Sequence, residues 1–260
     1  MRRERSQQTT GKSGILTGQP GKTGTLSLVA VPIGHPDDLT VRALRTLAEV
    51  DVIASEDPAA TQGLLAHHGL TAAITSYGPA NIKEKVALLI HRLREGAHIA
   101  LVSDTGSPVV ADPGSLLVTS AHACGIRVVS VPGPSALTAA VAAAGLPSGS
   151  WFFEGQLPDT KSGIRRRLHT RLQDTIPTVA FCSARSLALA VRTIAALAPR
   201  RHLALACDLT TPNERIIQGT ATQVLRRLND AVLAQKIILI LKESRPVTRR
   251  KTGPAKPKKS

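Results

Sequence analysis

Three short runs of the chain combine glycine, proline and small hydroxyl residues in a way that suits contact with a ligand. They are Val31-Pro32-Ile33-Gly34, Ser103-Asp104-Thr105-Gly106-Ser107-Pro108 and Val131-Pro132-Gly133-Pro134-Ser135-Ala136. Residues without bulk let a bound molecule lie against the backbone, and Asp104 and Ser135 could add polar contacts. Each run alone reads as a turn. Three on one edge of a sheet read as a binding site, because ligands of open α/β sheets sit beyond the carboxyl ends of the strands. No G-x-G-x-x-G opens a helix and no G-x-x-x-x-G-K-[ST] is present, so neither a dinucleotide site nor a phosphate loop is supported.

Four carboxylates are candidates for proton transfer or substrate contact: Glu56, Asp57, Asp104 and Glu154. Glu56 and Asp57 follow an expected strand, where one of them could equally cap the next helix. Glu154 adjoins Trp151–Phe153, as a perturbed carboxylate or as a structural hydrogen-bonding group. Arg165, Arg166, Arg167 and Arg171 flank an apolar seam of Ile164, Leu168 and Leu172. That pattern fits a solvated helix face, and it also fits a cluster for phosphate groups. Cys124, Cys182 and Cys207 form no C-x-x-C pair, and His67-His68 makes no ligand spacing with another His or Cys, so no metal is expected.

The elements that must position these residues alternate between strand and helix. Apolar runs at Leu26–Val31, Val50–Ala54, Ala73–Ser76, His98–Ser103 and Arg127–Val131 read as strands. Between them, 41–48, 61–68, 83–93 and 114–124 carry helical spacing or helix stop signals, with Asp37 and Asp38 as the expected caps of the first. Five strands with helical crossovers predict a mostly parallel α/β sheet. A second set follows at Ser150–Glu154, Thr178–Ser183, His202–Cys207, Arg215–Gly219 and Lys236–Leu241, with helices near 162–173, 185–198 and 220–229. The short step from 207 to 215 predicts a hairpin and therefore a mixed second sheet. The expected organisation is a basic tail at 1–25, an N-terminal α/β domain at 26–132, a C-terminal α/β domain at 133–241 and a second basic tail at 242–260, both tails disordered.

Composition narrows the class further. Of 260 residues 42% are hydrophobic, enough for a substantial core, while only 2% are aromatic, so aliphatic side chains must build it. The net charge is +15, but residues 1–25 hold five Lys/Arg against one acid and residues 242–260 eight against one. The excess sits mainly at the ends. No apolar run approaches the ~20 residues of a membrane span, and the N-terminus has no apolar core of a secretory signal. A soluble, cytoplasmic protein is expected, with an organelle transit peptide as the less favoured reading of the leader.

The order of motifs resembles a known family. PIG (32–34), SED (55–57), LVSDTGSPVVADPG (101–114) and VVSVPGPSALTAAVAAAGLP (128–147), together with LTVRALRTLAEVDVIASED (39–57) and FFEGQLP (152–158), resemble the tetrapyrrole-methylase fold. Within it they resemble the ribosomal RNA small-subunit methyltransferase I family, which methylates a cytidine 2′-OH of 16S rRNA. The resemblance covers about 26–241. It implies two α/β domains with S-adenosylmethionine in the cleft between them, against Pro32, Gly34, Asp104, Gly106, Ser107, Ser135 and Ala136, with Cys182 and Ala206 joining from the second domain. It also implies 16S rRNA or the small ribosomal subunit as partner, RNA contacts at the arginine cluster, and a homodimer. The chain departs from the family on the substrate side. Pro58-Ala59-Ala60-Thr61 stands where T-R-H-T is usual, Ser76-Tyr77-Gly78-Pro79-Ala80-Asn81 replaces S-Y-H-E-H-N, Phe181-Cys182-Ser183-Ala184-Arg185-Ser186-Leu187 replaces F-Y-E-S-P-H-R, and Cys207-Asp208-Leu209-Thr210-Thr211-Pro212 replaces R-E-L-T-K-K. Two further functions therefore stay open: methylation of a tetrapyrrole of the precorrin type, and binding of cofactor and RNA without catalysis. No residue is singled out as the general base.

Overall fold

The computed structural model describes residues 23–146, 149–228 and 236–243. The first half forms β1 (Thr25–Val29), α1 (Val41–Glu49), β2 (Val52–Ser55), α2 (Pro58–His67), β3 (Ile74–Ser76), α3 (Ile82–Arg94), β4 (Ile99–Val102), α4 (Ser115–Ala123) and β5 (Arg127–Val131). Its sheet runs β3-β2-β4-β1-β5 with every pair parallel. Strand alternation divides the core. Ile99 and Leu101 of β4 point to the face covered by α3 and α4, and Ala100 and Val102 to the face covered by α1 and α2. A sheet covered on both sides needs continuously apolar strands, which is why β2 and β4 are buried at every position.

The second half begins with α5 (Ala136–Ala143) and continues through β6 (Phe152–Gln156), α6 (Lys161–Gln173), β7 (Thr178–Cys182), α7 (Ala184–Leu197), β8 (His202–Cys207), β9 (Arg215–Thr220), α8 (Ala221–Arg226) and β10 (Ile237–Leu241). The sheet order is β6-β7-β10-β8-β9. β6 and β7 are parallel and the remaining pairs antiparallel, with β8 and β9 forming the expected hairpin. Helices α6, α7 and α8 cover one face, packing on Cys182, Leu205 and Leu239. The other face carries Val179, Ala206 and Ile238 and is covered by α5 together with Ile33 and Leu209.

Local chemistry differs from the sequence reading in a few places. Thr40, not Asp37 or Asp38, caps α1, its hydroxyl accepting from the Ala43 amide at 3.1 Å. Pro36–Asp38 instead forms a short 3-10 turn, which turns the Asp37 carboxylate toward His67 at 2.9 Å. The alanine-rich α5, to which the sequence reading assigns no element beyond the loop ending at Ala136, shows little amphipathic contrast; Leu137 and Ala140 bury it on the second sheet. Lys242 belongs to the fold rather than to a tail: its amide donates to His202 at 2.9 Å and its ammonium to the Ala144 carbonyl at 2.8 Å. At the other end, the Gly24 amide donates to Leu93 at 2.8 Å. Residues 1–22 and 244–260, which hold the rest of both tails, lie outside the described residues.

Candidate functional site

β1 and β4 lie side by side, yet the chain leaves β1 for β2 on one side and leaves β4 for β5 on the other. Such a reversal opens a crevice at the carboxyl ends of the two strands. The loops that fill it are the first two glycine- and proline-rich runs. They are tied together by a two-hydrogen-bond bridge, Val31 amide to Gly106 carbonyl at 2.9 Å and Gly106 amide to Val31 carbonyl at 3.0 Å. Gly106 makes this possible with φ +77°, a region costly for any side chain. The buried Ser103 hydroxyl secures the turn by donating to the Gly106 carbonyl at 3.0 Å. The Ser107 hydroxyl donates to Pro134 of the third run at 3.4 Å.

Two cavities open from this crevice. The first, about 270 Å³, lies between the sheets. The first half contributes Thr105, Gly106, Ser107 and Asp112, and the start of α5 contributes Ser135 and Ala136. Its far wall is the second sheet at Cys182, Ala206 and Ile238. Ser135 sits at the N-cap of α5 without a capping hydrogen bond. A Cβ on Gly106 would stand 3.3 Å from Ile33, 3.8 Å from the Pro134 carbonyl and 3.9 Å from the Ala136 amide. The cavity wall is therefore drawn in to backbone level on both sides. The second cavity, about 380 Å³, lies between the β1 loop and α2 and is lined by Pro32, Gly34, Gly63, His67 and Asp104 among others. Thr105 and Lys236 line both cavities.

The residues expected at the cofactor thus separate into two groups. Gly106, Ser107, Ser135, Ala136, Cys182 and Ala206 share the first cavity, while Pro32, Gly34 and Asp104 line the second. Gly34 has a packing reason of its own: a Cβ there would lie 2.4 Å from the Leu209 carbonyl and 2.6 Å from the Thr210 hydroxyl. Next to it, the His35 amide donates to that hydroxyl at 2.9 Å, so the two halves of the chain meet here. The Cys182 side chain packs among the residues under α6–α8, and burial pushes its thiol up to about 12. It is an inert wall element.

The carboxylates also divide. Asp57 caps α2, its Oδ1 accepting from the Ala59 and Ala60 amides at 3.0 Å each. Asp104 Oδ1 accepts from the Asp57 amide at 3.1 Å, linking the ends of β2 and β4. Glu56 is half-buried, and burial with the neighbouring Asp104 charge raises its carboxyl. Glu154, expected as a catalytic candidate, lines neither cavity. Its buried carboxylate is held by Arg167 at 2.7 Å and Arg171 at 2.9 Å. Arg171 is further committed to Asp174 at 2.6 Å and stacks 3.7 Å from the Phe152 ring. Of the four arginines expected at RNA, Arg167 and Arg171 therefore hold the fold together, whereas Arg165 and Arg166 are exposed. The reason is register: positions 167 and 171 are one turn apart on α6 and face β6.

One carboxylate that sequence reasoning passed over stands in the first cavity. Asp112 is half-buried, and desolvation followed by the charges of Glu56 and Asp104 pushes its carboxyl up to about 6, against a lowering contact from Ser103. The segment before it is strained, with Val109 at φ +73° and Ala111 at φ +61°. Strain of this kind in non-glycine residues clusters at functional sites. Opposite, the Lys236 ammonium donates to the Ile33 carbonyl at 3.1 Å, and its charge is disfavoured by burial while Asp208 and Asp104 favour it. Among the described residues no group of three or more His, Cys, Asp or Glu side chains is placed to hold a metal. No helix among them is long and apolar enough to cross a membrane.

A crevice of this construction is matched by a known family. The Tetrapyrrole (Corrin/Porphyrin) Methylases match residues 25–225. The Ribosomal RNA small subunit methyltransferase I of Thermotoga maritima is 35% identical over 218 residues, 84% of this chain and 98% of that protein. The chain belongs to this family of methylases. The Pseudomonas aeruginosa protein of the same name is 45% identical over 161 residues, 62% of this chain and 57% of its own. Solved structures show the tetrapyrrole-methylase fold. A diphthine synthase superposes with a TM-score of 0.67 at 16% identity, covering 84% of this chain and 90% of its own. A uroporphyrin-III C-methyltransferase of Thermus thermophilus, complexed with S-adenosylhomocysteine, gives 0.58 at 21% identity over 85% and 98%. In this methylase the departures at 58–61 reach the second cavity through Ala60 and Thr61, those at 181–187 and 207–212 reach the first through Phe181, Cys182 and Leu209, and Tyr77 is buried.

Proposed function

We propose that the chain transfers a methyl group from S-adenosylmethionine to a cytidine ribose 2′-OH of small-subunit (16S) rRNA, in the cytoplasm and as a homodimer. The observation that carries this reading is the match along almost the whole length of a relative named for small-subunit rRNA methylation. The first cavity fits the cofactor. Its walls at Gly106 and Ala136 come in to the backbone, and Asp112 places a carboxylate inside it. When bound, the cofactor supplies an electrophilic methyl carbon on a positively charged sulfur.

The chain's own residues do the rest. Thr105, Gly106, Ser107 and Ser135 hold the ligand against the loops, which fixes the line of attack, and alignment alone can supply much of the rate. Asp112 lines the chamber that would take the sulfonium, and with its carboxyl pushed up to about 6 it is a better proton acceptor than an ordinary carboxylate. It would accept the ribose hydroxyl proton on methyl transfer. Lys236, on the wall common to both cavities, holds the acceptor oxygen. Methylation of a tetrapyrrole fits less well. A ring bearing many carboxylates would meet Asp104 and Asp112 with Lys236 as the opposing cation, and like charges repel strongly when desolvated.

The test is transfer of labelled methyl groups to small subunits from cells lacking the gene, followed by mapping of ribose methylation. A single new 2′-O-methyl cytidine is expected. No transfer to any rRNA, with intact cofactor binding by calorimetry, would support the non-catalytic reading instead. Light scattering should give twice the 27.3 kDa chain mass.

A further inference from the structure

The second cavity has a wall chemistry unlike the first. Pro32, Pro36 and Leu64 give it flat apolar patches, and His67 is the aromatic ring on it among the described residues. That ring is fixed by Asp37 at 2.9 Å and abuts His68 edge-on at 4.9 Å between centroids. Polar contact comes from Asp104, whose Oδ1 is committed to the Asp57 amide and whose Oδ2 makes no hydrogen bond among the described residues. Thr105 and Lys236 stand at the doorway to the first cavity.

From this arrangement we infer that the second cavity receives the target nucleoside itself, extruded from the RNA, with its base between the proline patches and His67 and its ribose at the doorway of Thr105 and Lys236. The inference rests on the methyltransferase reading above and assigns the acceptor a chamber. Enzymes that work on one nucleotide of a structured RNA commonly take it out of its stack and read it by aromatic contact and hydrogen bonds to its edge. A neutral base with an exocyclic amine is what Asp104 can accept from. Phosphates are turned away by the same carboxylate and stay outside. Thr105 and Lys236 line both cavities, so an oxygen held by them is the part of the nucleoside that comes nearest the methyl group.

Gly63 makes the idea testable without damaging the fold. It lies in the middle of α2, lines the second cavity but not the first, and a Cβ added there meets nothing within 4 Å. Replacing a mid-helix glycine also raises helix propensity by ~1 kcal/mol for alanine. Gly63→Leu should therefore fold at least as well as the parent, bind S-adenosylmethionine with unchanged affinity by calorimetry, and still bind small subunits. Its kcat/KM for methylating them should fall at least about 100-fold, the scale expected when a reacting group is displaced by ~1 Å. Gly63→Ala should fall between, and Gln62→Leu, which adds the same bulk one position away and outside both cavities, should match the parent. If the parent methylates rRNA and Gly63→Leu does so at the same rate, the chamber is wrong while the methyltransferase reading stands. If the parent itself methylates no ribose, that reading falls and the chamber with it.

Discussion

Removing the charge of Asp112 should stabilise this protein and disable it at once. In the folded state burial, Glu56 and Asp104 push the carboxyl up to about 6 from the 3.8 of a free side chain. That difference corresponds to ~3 kcal/mol of unfavourable interaction for the ionised form, and solvent screening of a half-buried group reduces it to ~1.5 kcal/mol. The sign follows from proton uptake. Between about pH 4 and 6 the folded chain keeps a proton that the unfolded chain has released, so this group's contribution to stability falls as pH rises through that window. The deficit is complete at pH 7.5, small at pH 4 and gone only well below the unfolded value of 3.8. Asp112→Asn removes it, and for a chain of this size ~1.5 kcal/mol moves the melting midpoint by about 3–6 °C. Thermal melts of both proteins at pH 7.5 and pH 4.5 measure it. The variant should melt higher at pH 7.5, the gap should shrink at pH 4.5, and methyl transfer should drop by roughly 10²–10⁴-fold as expected for a lost proton acceptor. A variant less stable at pH 7.5, or a gap that does not change with pH, would show that no charge is held there against its preference.

Glu154→Gln leaves Arg167 and Arg171 without their buried carboxylate and should cost ~2 kcal/mol in urea melts, with S-adenosylmethionine affinity unchanged. Arg165→Ala with Arg166→Ala should leave stability within ~0.5 kcal/mol but weaken binding to small subunits in filter assays. Gly106→Val forces a side chain into φ +77° and toward Ile33, so it should lose cofactor binding in calorimetry and lower stability by ~1–3 kcal/mol. Removing residues 1–22 and 244–260 takes away most of the excess positive charge. Each lost phosphate contact should flatten the salt dependence of RNA binding by about 0.7–0.9 in log–log slope, while S-adenosylmethionine affinity stays as it was.

The strands and their grouping into a parallel and a mixed sheet were legible because each is a short apolar run bounded by glycine, proline or a cap residue. Most ends fell within two residues of those observed. The loops at 31–34, 103–108 and 131–136 were legible as a cluster because they share one sheet edge, and residues of all three line the cavities there. Three things were not. Glu154 and the pair Arg167 and Arg171 meet across 13 and 17 residues, a contact that no local spacing announces. Asp112 carries no local signal because its character comes from burial and then from Glu56 and Asp104, which the fold, not the sequence, brings near. Lys236 looked like the first residue of a strand; only the assembled sheets place its ammonium beside Ile33, 203 positions away.

The position of β10 bears on how the molecule can be made. Among the described residues it is the last strand in sequence and the middle one in its sheet, between β7 and β8. Until it emerges, the pairs β6-β7 and β8-β9 each present an open edge, and such edges are templates for association with other chains. The parallel sheet has no such debt, since all five of its strands lie before residue 132. A nascent or truncated chain ending near residue 230 should therefore hold a finished first sheet beside two unpaired hydrophobic ribbons, a species prone to aggregate. Lys236, Ile237 and Ile238 also wall the first cavity. The ligand site and the cure for the sticky edges arrive together, so added cofactor can rescue a full-length variant that folds poorly but should do nothing for a chain that stops short of β10.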